Sequence, residues 1–208
     1  MAHIPDGVLS APVLMAGAAV SLAGCAYGLW RLEAERIPQA ALFAAVLFVA
    51  ALVHFPAGPS SVHLILSGLT GVLLGWAAFP AILVALLLQA VLFGFGGLVV
   101  LGVNVMSVAL SAVLCRALFL AVARSGNHRQ TVMAAGLAGG IGVVLTALLV
   151  SLALALSGQA FATAAKLVVL THIPVAVIES IFSAAVIGLL LRVKPEFPGL
   201  TLVGGKRE

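Results

Sequence analysis

The chain reads as all-α, a polytopic helical bundle of about seven membrane spans, and its composition, the length of its apolar runs and the absence of two-residue alternation carry that reading. Of 208 residues, 63% are hydrophobic and 8% charged, and the mean hydropathy is +1.30. A soluble domain needs roughly 25% charged residues, so the lipid bilayer is the solvent. Barrel strands would alternate polar and apolar positions, whereas these runs are continuous. Lipid-exposed backbone must satisfy its own hydrogen bonds, which selects helices. The whole chain, 1–208, is expected to form one integral membrane domain.

Val8 to Trp30 makes a first span, long enough for a hydrocarbon core of about 30 Å at 1.5 Å per residue. Arg31-Leu32-Glu33-Ala34-Glu35-Arg36 ends it. A second span runs from about Ile37 to Phe55 and closes in the irregular His54-Phe55-Pro56-Ala57-Gly58-Pro59-Ser60-Ser61, where proline and glycine forbid a continuous helix. From Val62 to Leu101 the chain is apolar almost without break, and later spans follow at Gly102 to Ala123, Thr131 to Ser157 and Phe161 to Leu191. No basic segment precedes the first apolar run, so a cleavable signal peptide is not expected. Cys25 and Cys115 lie inside apolar runs and behave as small hydrophobes.

Parity settles the ambiguous stretch. Lys and Arg in short loops stay cytoplasmic, which places the loops of Arg31 with Arg36, of Arg124 with Arg129, and the end with Arg192, Lys194, Lys206 and Arg207 on one side. An even number of crossings must separate each pair. Val62 to Leu101 is therefore expected to be a hairpin of two short helices, Val62 to Trp76 and Pro80 to Phe93, with the N-terminus out and the C-terminus in. Each has roughly 15 residues, about 22 Å. Such short, Gly- and Pro-interrupted spans often line a substrate site.

The topology brings three of the five histidines to the outer face: His3, His54 and His63. His3 stands beside the chain terminus, where an amine, an amide nitrogen and an imidazole can close fused chelate rings. Nitrogen donors in a plane suit Ni(II) or Cu(II) rather than Mg(II) or Ca(II). His63 follows a Pro/Gly-rich connector that aims the start of its span. His54 reads as an interfacial hydrogen-bonding group. Asp6 is placed either to orient the His3 imidazole or to accept backbone amides where the first helix begins. Gln89 and Asn104 sit at apolar depth, where an unsatisfied amide is costly, and are expected to tie the terminal loop or neighbouring helices together. His172 and Glu179 are seven apart, hence on one helical face, with Pro174 between them. Glu179 is a functional candidate by its position in a membrane, with His172 or Arg116 as a structural partner. Ser67, Gly71 and Gly75 make a small-residue stripe for close helix contact, internal or with a partner.

His3-Ile4-Pro5-Asp6-Gly7-Val8-Leu9-Ser10, Ser60-Ser61-Val62-His63-Leu64, the run Gln89 to Gly97 with Gly102-Val103-Asn104, and His172-Ile173-Pro174 followed by Glu179 together resemble the NikM/CbiM family. These are substrate-binding membrane subunits of energy-coupling-factor nickel and cobalt transporters. The resemblance covers essentially the whole chain. It implies a bundle whose N-terminus tucks into an extracytoplasmic pocket. There the metal sits in a near-planar set of four nitrogens: the terminal amine, the backbone nitrogen and imidazole of the following His, and a second His that maps to His63. Pro5-Asp6 is more like the nickel branch. Family members usually begin Met-His, whereas this chain begins Met1-Ala2-His3. If Met1 is trimmed, Ala2 supplies the amine and His63 the fourth nitrogen. If Met1 stays, the amine, two amides and His3 make four nitrogens unaided, and His63 is axial or spare. Phe95 stands where the family often has Asp, and His54 where Asn is common.

The resemblance further implies Ni2+, or else Co2+, as transported substrate, and an inner-membrane location in a prokaryote. Its partners would be a transmembrane coupling subunit, ATPase subunits and a small accessory membrane subunit, with membrane lipid around them and no nucleic acid. The sequence holds no Gly-x-x-x-x-Gly-Lys-Ser/Thr phosphate loop, so ATP hydrolysis in the P-loop manner is expected on separate subunits, and the chain itself is not expected to be an enzyme. The competing reading is a self-sufficient, proton-coupled metal carrier that uses His172 and Glu179 as a relay.

Overall fold

The structure, a computed structural model, describes residues 4–57, 60–123 and 127–194, with the backbone alone at 54–57 and 60–62. The described residues are predominantly helical: α1 (Ala11–Trp30), α2 (Ile37–Ala50), α3 (Ser67–Leu74), α4 (Ala78–Phe93), α5 (Leu101–Val122), α6 (His128–Ser157) and α7 (Ala162–Val193). Local chemistry sets several of the ends. Prolines occupy the first turn of α1 and α2, where no backbone N–H is required. The Asn127 side chain accepts the Arg129 amide at 3.1 Å and starts α6. Gly94, at φ 66°, closes α4, with its own N–H on Ala90 O at 3.1 Å and the Phe95 N–H on Gln89 O at 3.2 Å, a left-handed glycine stop.

Among the described residues, five segments are long and apolar enough to cross a membrane: Ala11–Trp30, Ser67–Phe93, Leu101–Val122, His128–Ser157 and Gln159–Val193. The Ser67–Phe93 segment is not straight. Gly28 of α1 packs on the Trp76 carbonyl and on Pro80, and Gly24 packs on Phe79, so the turn at 75–77 lies beside the C-terminal end of α1. Beyond the far end of α4, the Gly96 carbonyl accepts the Asp6 amide at 3.3 Å, just ahead of the start of α1. Helices α3 and α4 are therefore an antiparallel pair.

The expected helix from Val62 to Trp76 is corrected by a short β-hairpin. Strands β1 (His54–Ala57) and β2 (Ser60–His63) pair antiparallel, with His54 opposite His63. A residue before proline is pushed towards extended backbone, and Phe55 and Gly58 both precede one. The second span accordingly stops at Ala50 rather than Phe55, and α3 begins only at Ser67, after Leu66 at φ 54°. Helix α3 is thus eight residues long, about 12 Å, and every one of them is buried.

Close backbone contact fixes α3 in place. A Cβ on Gly68 would overlap the Ala138 carbonyl of α6, and one on Gly71 would overlap the Ala112 carbonyl of α5. Ser67 and Gly71 of the small-residue stripe therefore make internal contacts, Ser67 with Thr146, whose hydroxyl lies 3.4 Å away, whereas a Cβ on Gly75 would meet nothing within 4 Å. Helices α6 and α7 pair the same way, with Gly139 against the Glu179 carbonyl and the Ser183 side chain. Gly71→Ala forces backbone apart and is expected to lower stability by about 1–3 kcal/mol, whereas Gly188→Ala, whose Cβ would meet Val132 at an ordinary 3.5 Å, leaves it unchanged. Thermal unfolding of the two variants in detergent checks the contrast.

Candidate metal centre

The chain enters the bundle through two backbone clamps. The Ile4 amide donates to Asn104 Oδ1 at 3.1 Å, and Asn104 Nδ2 donates back to the Ile4 carbonyl at 3.2 Å. Ile4 is buried, so both backbone polar groups are paired where water is absent. Two residues on, Asp6 Oδ1 accepts the Val100 amide at 3.0 Å, which caps the start of α5 rather than that of α1. A Cβ on Gly97 would occupy the place of the Asp6 carboxylate. Only glycine there lets the two segments meet.

His63 ends β2 and is 3% exposed. Its Nδ1 lies 3.0 Å from the Leu64 carbonyl. With the proton on Nδ1, that bond orients the ring and makes Nε2 the nitrogen whose lone pair a metal would take. The imidazole borders a cavity of about 20 Å3, walled by Leu47, Ala85, Leu86, Gln89 and Val108 among others, a volume on the scale of one water-sized occupant. Gln89 donates through Nε2 to Leu47 O at 3.4 Å and so ties α4 to α2. Its Oε1 is buried with no partner among the described residues. Val108 is one helical turn beyond Asn104 on the same face of α5, so the residue that grips Ile4 and the wall of the His63 cavity are neighbours.

Glu179 of α7 is fully buried and accepts the amides of Ile65 and Leu66, the latter at 2.9 and 3.0 Å from its two oxygens. It caps α3 from outside, placing a negative group at the positive end of a helix dipole. His172, also buried, sends Nδ1 to the Val168 carbonyl one turn back, at 2.6 Å. The seven-residue step from His172 to Glu179 corresponds to about 10.5 Å of helix, too far for a direct proton transfer. The opposite end of α3 is tied as well, since Arg36 and Gln39 reach the Leu73 carbonyl at 3.2 and 3.4 Å and Arg116 donates to the Val72 carbonyl.

Met1, Ala2 and His3, the expected terminal ligands, lie outside the described residues, as does the side chain of His54. Among the described residues no three His, Cys, Asp or Glu side chains form a group able to hold a metal ion. Among the described residues, His63 alone does not make a centre. Asn104 does tie the N-terminal segment, in line with its expected role, although its partner is the Ile4 backbone; the capping of α3 by Glu179 escapes sequence reasoning, because it joins groups more than a hundred positions apart.

Residues 3–197 match the family CbiM, described as the cobalt uptake substrate-specific transmembrane region. The chain belongs to the CbiM family. A candidate metal transport protein of Haemophilus influenzae is 46% identical over 93% of this chain and 95% of its own length. The fused nickel transport protein NikMN of Rhodobacter capsulatus is 34% identical, and this chain spans 63% of it. The cobalt transport protein CbiM 2 of Pelobacter propionicus is 30% identical over 99% of this chain. A solved transition metal transporter matches with a TM-score of 0.74 at 22% identity, over 95% of this chain and 96% of its own, and shares the fold. Membership makes the chain a component of a metal transport family rather than an enzyme, and its long apolar helices make it multi-pass.

The Glu179 cap yields a test within this site. Glu179→Ala leaves two buried amides unsatisfied at about 1–3 kcal/mol each. Glu179→Gln keeps an acceptor but loses the charge and is expected to fall between alanine and wild type. Thermal unfolding of the purified variants measures that order.

Proposed function

We propose that this chain is the substrate-capture subunit of an ATP-driven energy-coupling-factor importer, and that it takes Ni2+ in preference to Co2+. The observation that carries the reading is the grip of Asn104 on Ile4, one helical turn from the wall of the His63 cavity. His3 is the residue bonded to Ile4, which is why the clamp supports a donor set drawn jointly from the terminal residues and His63. The donors are the amine of Ala2, or of Met1 if it is retained, with the amide and imidazole of His3 and the imidazole of His63. A planar nitrogen set favours Ni(II). Asp6 anchors the strap, and Gln89 and Asn104 hold the frame around it.

Seven crossings, with the N-terminus outside, place this strap on the extracytoplasmic side and the loops of Arg31, Arg36 and Arg129 in the cytoplasm. ATP hydrolysis then belongs to partner subunits. The fusion in the Rhodobacter relative supports a multi-component machine, and the chain forms a single membrane domain within it. The proton-coupled alternative is disfavoured by the separate hydrogen bonds of His172 and Glu179.

A tag fused ahead of Met1 converts the amine into an ordinary amide. It is expected to abolish nickel binding in calorimetry while the protein stays folded, and unchanged affinity would sink the terminal-amine reading. His63→Ala should weaken binding sharply in protein starting at Ala2 and less in protein that keeps Met1. Binding also displaces protons from the donors, so affinity falls as pH is lowered.

Sidedness is tested by cysteine substitution. Asn127→Cys, at the start of α6, should react with an impermeant reagent only from the cytoplasmic side. Labelling from outside would overturn the seven-span topology.

A further inference from the structure

The end of the bundle opposite the terminal strap holds a second cavity, of about 820 Å3, between the α1–α2 loop, the 75–77 turn and α5. Its volume lies in the range of small-molecule sites, about 300–1,000 Å3. Arg31, Arg36 and Arg116 line it, facing Glu33 as the one carboxylate among its lining residues, which leaves an excess of positive charge. All three guanidinium groups are also held in place by protein, Arg116 by its bond to the Val72 carbonyl. Arg36 donates to the Leu73 carbonyl at 3.2 Å, and its buried Nε has no partner among the described residues. Arg31 donates through Nε to the Tyr27 hydroxyl at 3.0 Å and lies 5.5 Å from the Tyr27 ring centre and 5.6 Å from that of Trp30. Preorganised guanidinium forks match the oxygens of a phosphate.

The neighbourhood is that of a membrane surface. The Trp30 side chain is 77% exposed, Trp76 is 41% exposed, and Trp76 meets Tyr27 edge-on at 4.7 Å. Such aromatic clusters sit at the headgroup level. A second, wholly apolar groove of about 310 Å3 runs between α2 and α4, past Ala41 and Ala45 on one side and Pro80, Val84 and Leu88 on the other. Leu32 lines both the groove and the arginine cavity, so the two adjoin across that side chain. The groove follows α2 for roughly 12 Å along a face whose Ile37, Val84 and Leu88 are exposed.

We propose that this composite is a binding site for one anionic phospholipid. Its phosphate sits among Arg31, Arg36 and Arg116, and one acyl chain lies in the α2–α4 groove. Basic pockets between membrane helices recognise anionic headgroups in this way. A free phosphate would leave the apolar groove unfilled, and a carboxylate from a partner protein would meet the charge but not the groove. The proposal stands independently of the metal reading, since no residue of the His63 cavity takes part.

The test uses the full purified chain in detergent, with native mass spectrometry of retained phosphatidylglycerol against phosphatidylcholine of the same acyl chains. Wild type is expected to retain one phosphatidylglycerol roughly tenfold more tightly, given about a tenfold effect from one to two well-placed arginines. Arg31→Gln combined with Arg36→Gln should erase that preference. Because Arg36 also supports α3, two further variants guard the result: Arg31→Gln alone should reduce the preference, and Ala45→Trp, at an exposed position in the groove, should reduce retention of both lipids with unfolding temperature unchanged. Equal retention of the two lipids by wild type overturns the site. Displacement of the lipid by glycerol phosphate at equal concentration shows an anion site without a lipid, and also overturns it. A preference that survives all three variants does the same.

Discussion

Everything in this bundle depends on an eight-residue helix that begins inside the protein and is held at both ends. An N-terminus without a cap leaves amides unsatisfied, and in a dry interior each costs about 1–3 kcal/mol. The Glu179 carboxylate meets that need at Ile65 and Leu66, while Arg36, Gln39 and Arg116 receive the carbonyls at the other end. Charges of the right sign thus sit at both poles of the dipole. A buried carboxylate and a partly buried arginine, each expensive alone, become affordable because a short helix links them. Once α3 is fixed, the extended stretch up to His63 is fixed with it, and the imidazole acquires a defined place.

The sequence discloses the bundle's outline more readily than its joints. Spans such as Leu101–Val122 and His128–Ser157 follow from apolar length, and the reversal between α3 and α4 follows from the placement of arginines along the chain. The hairpin at 54–63 was hidden because His54-Phe55-Pro56-Ala57 and Ser60-Ser61-Val62-His63 lack the alternation that marks a strand. Proline and glycine announced a break there but not its pairing. Glu179 was conspicuous as a carboxylate in a membrane segment, yet its partners are backbone amides more than a hundred residues earlier, and no side-chain pattern encodes an amide. Asn104 was legible as a costly polar group able to tie the terminal loop, and only the particular backbone groups it grips, those of Ile4, were not.

The terminal strap shows how few contacts are needed to order a chain end. One asparagine satisfies both backbone groups of Ile4, one aspartate caps α5, and a glycine at position 97 leaves room for that aspartate. The hydrophobic burial of Ile4 and Leu9 against Val100 and Val103 gives these polar bonds a water-free setting in which they are strong. The strap is consequently built into the bundle's own core. Its position relative to His63 is set by the rigid rise of α5.

The complete burial of α3 carries an electrical consequence. Between the mid-depth start of that helix and the arginine end lies a layer of Leu69, Val72, Leu73 and Leu74, none more than 3% exposed, packed backbone to backbone at Gly68 and Gly71. A bare divalent ion entering such a layer would forgo hydration worth tens of kcal/mol, and the glycine contacts leave no side chain that could swing aside to make a wet path. Among the described residues this layer therefore offers a crossing ion no polar footing, and α3 sits in a slab of packed hydrocarbon rather than beside a water-filled path.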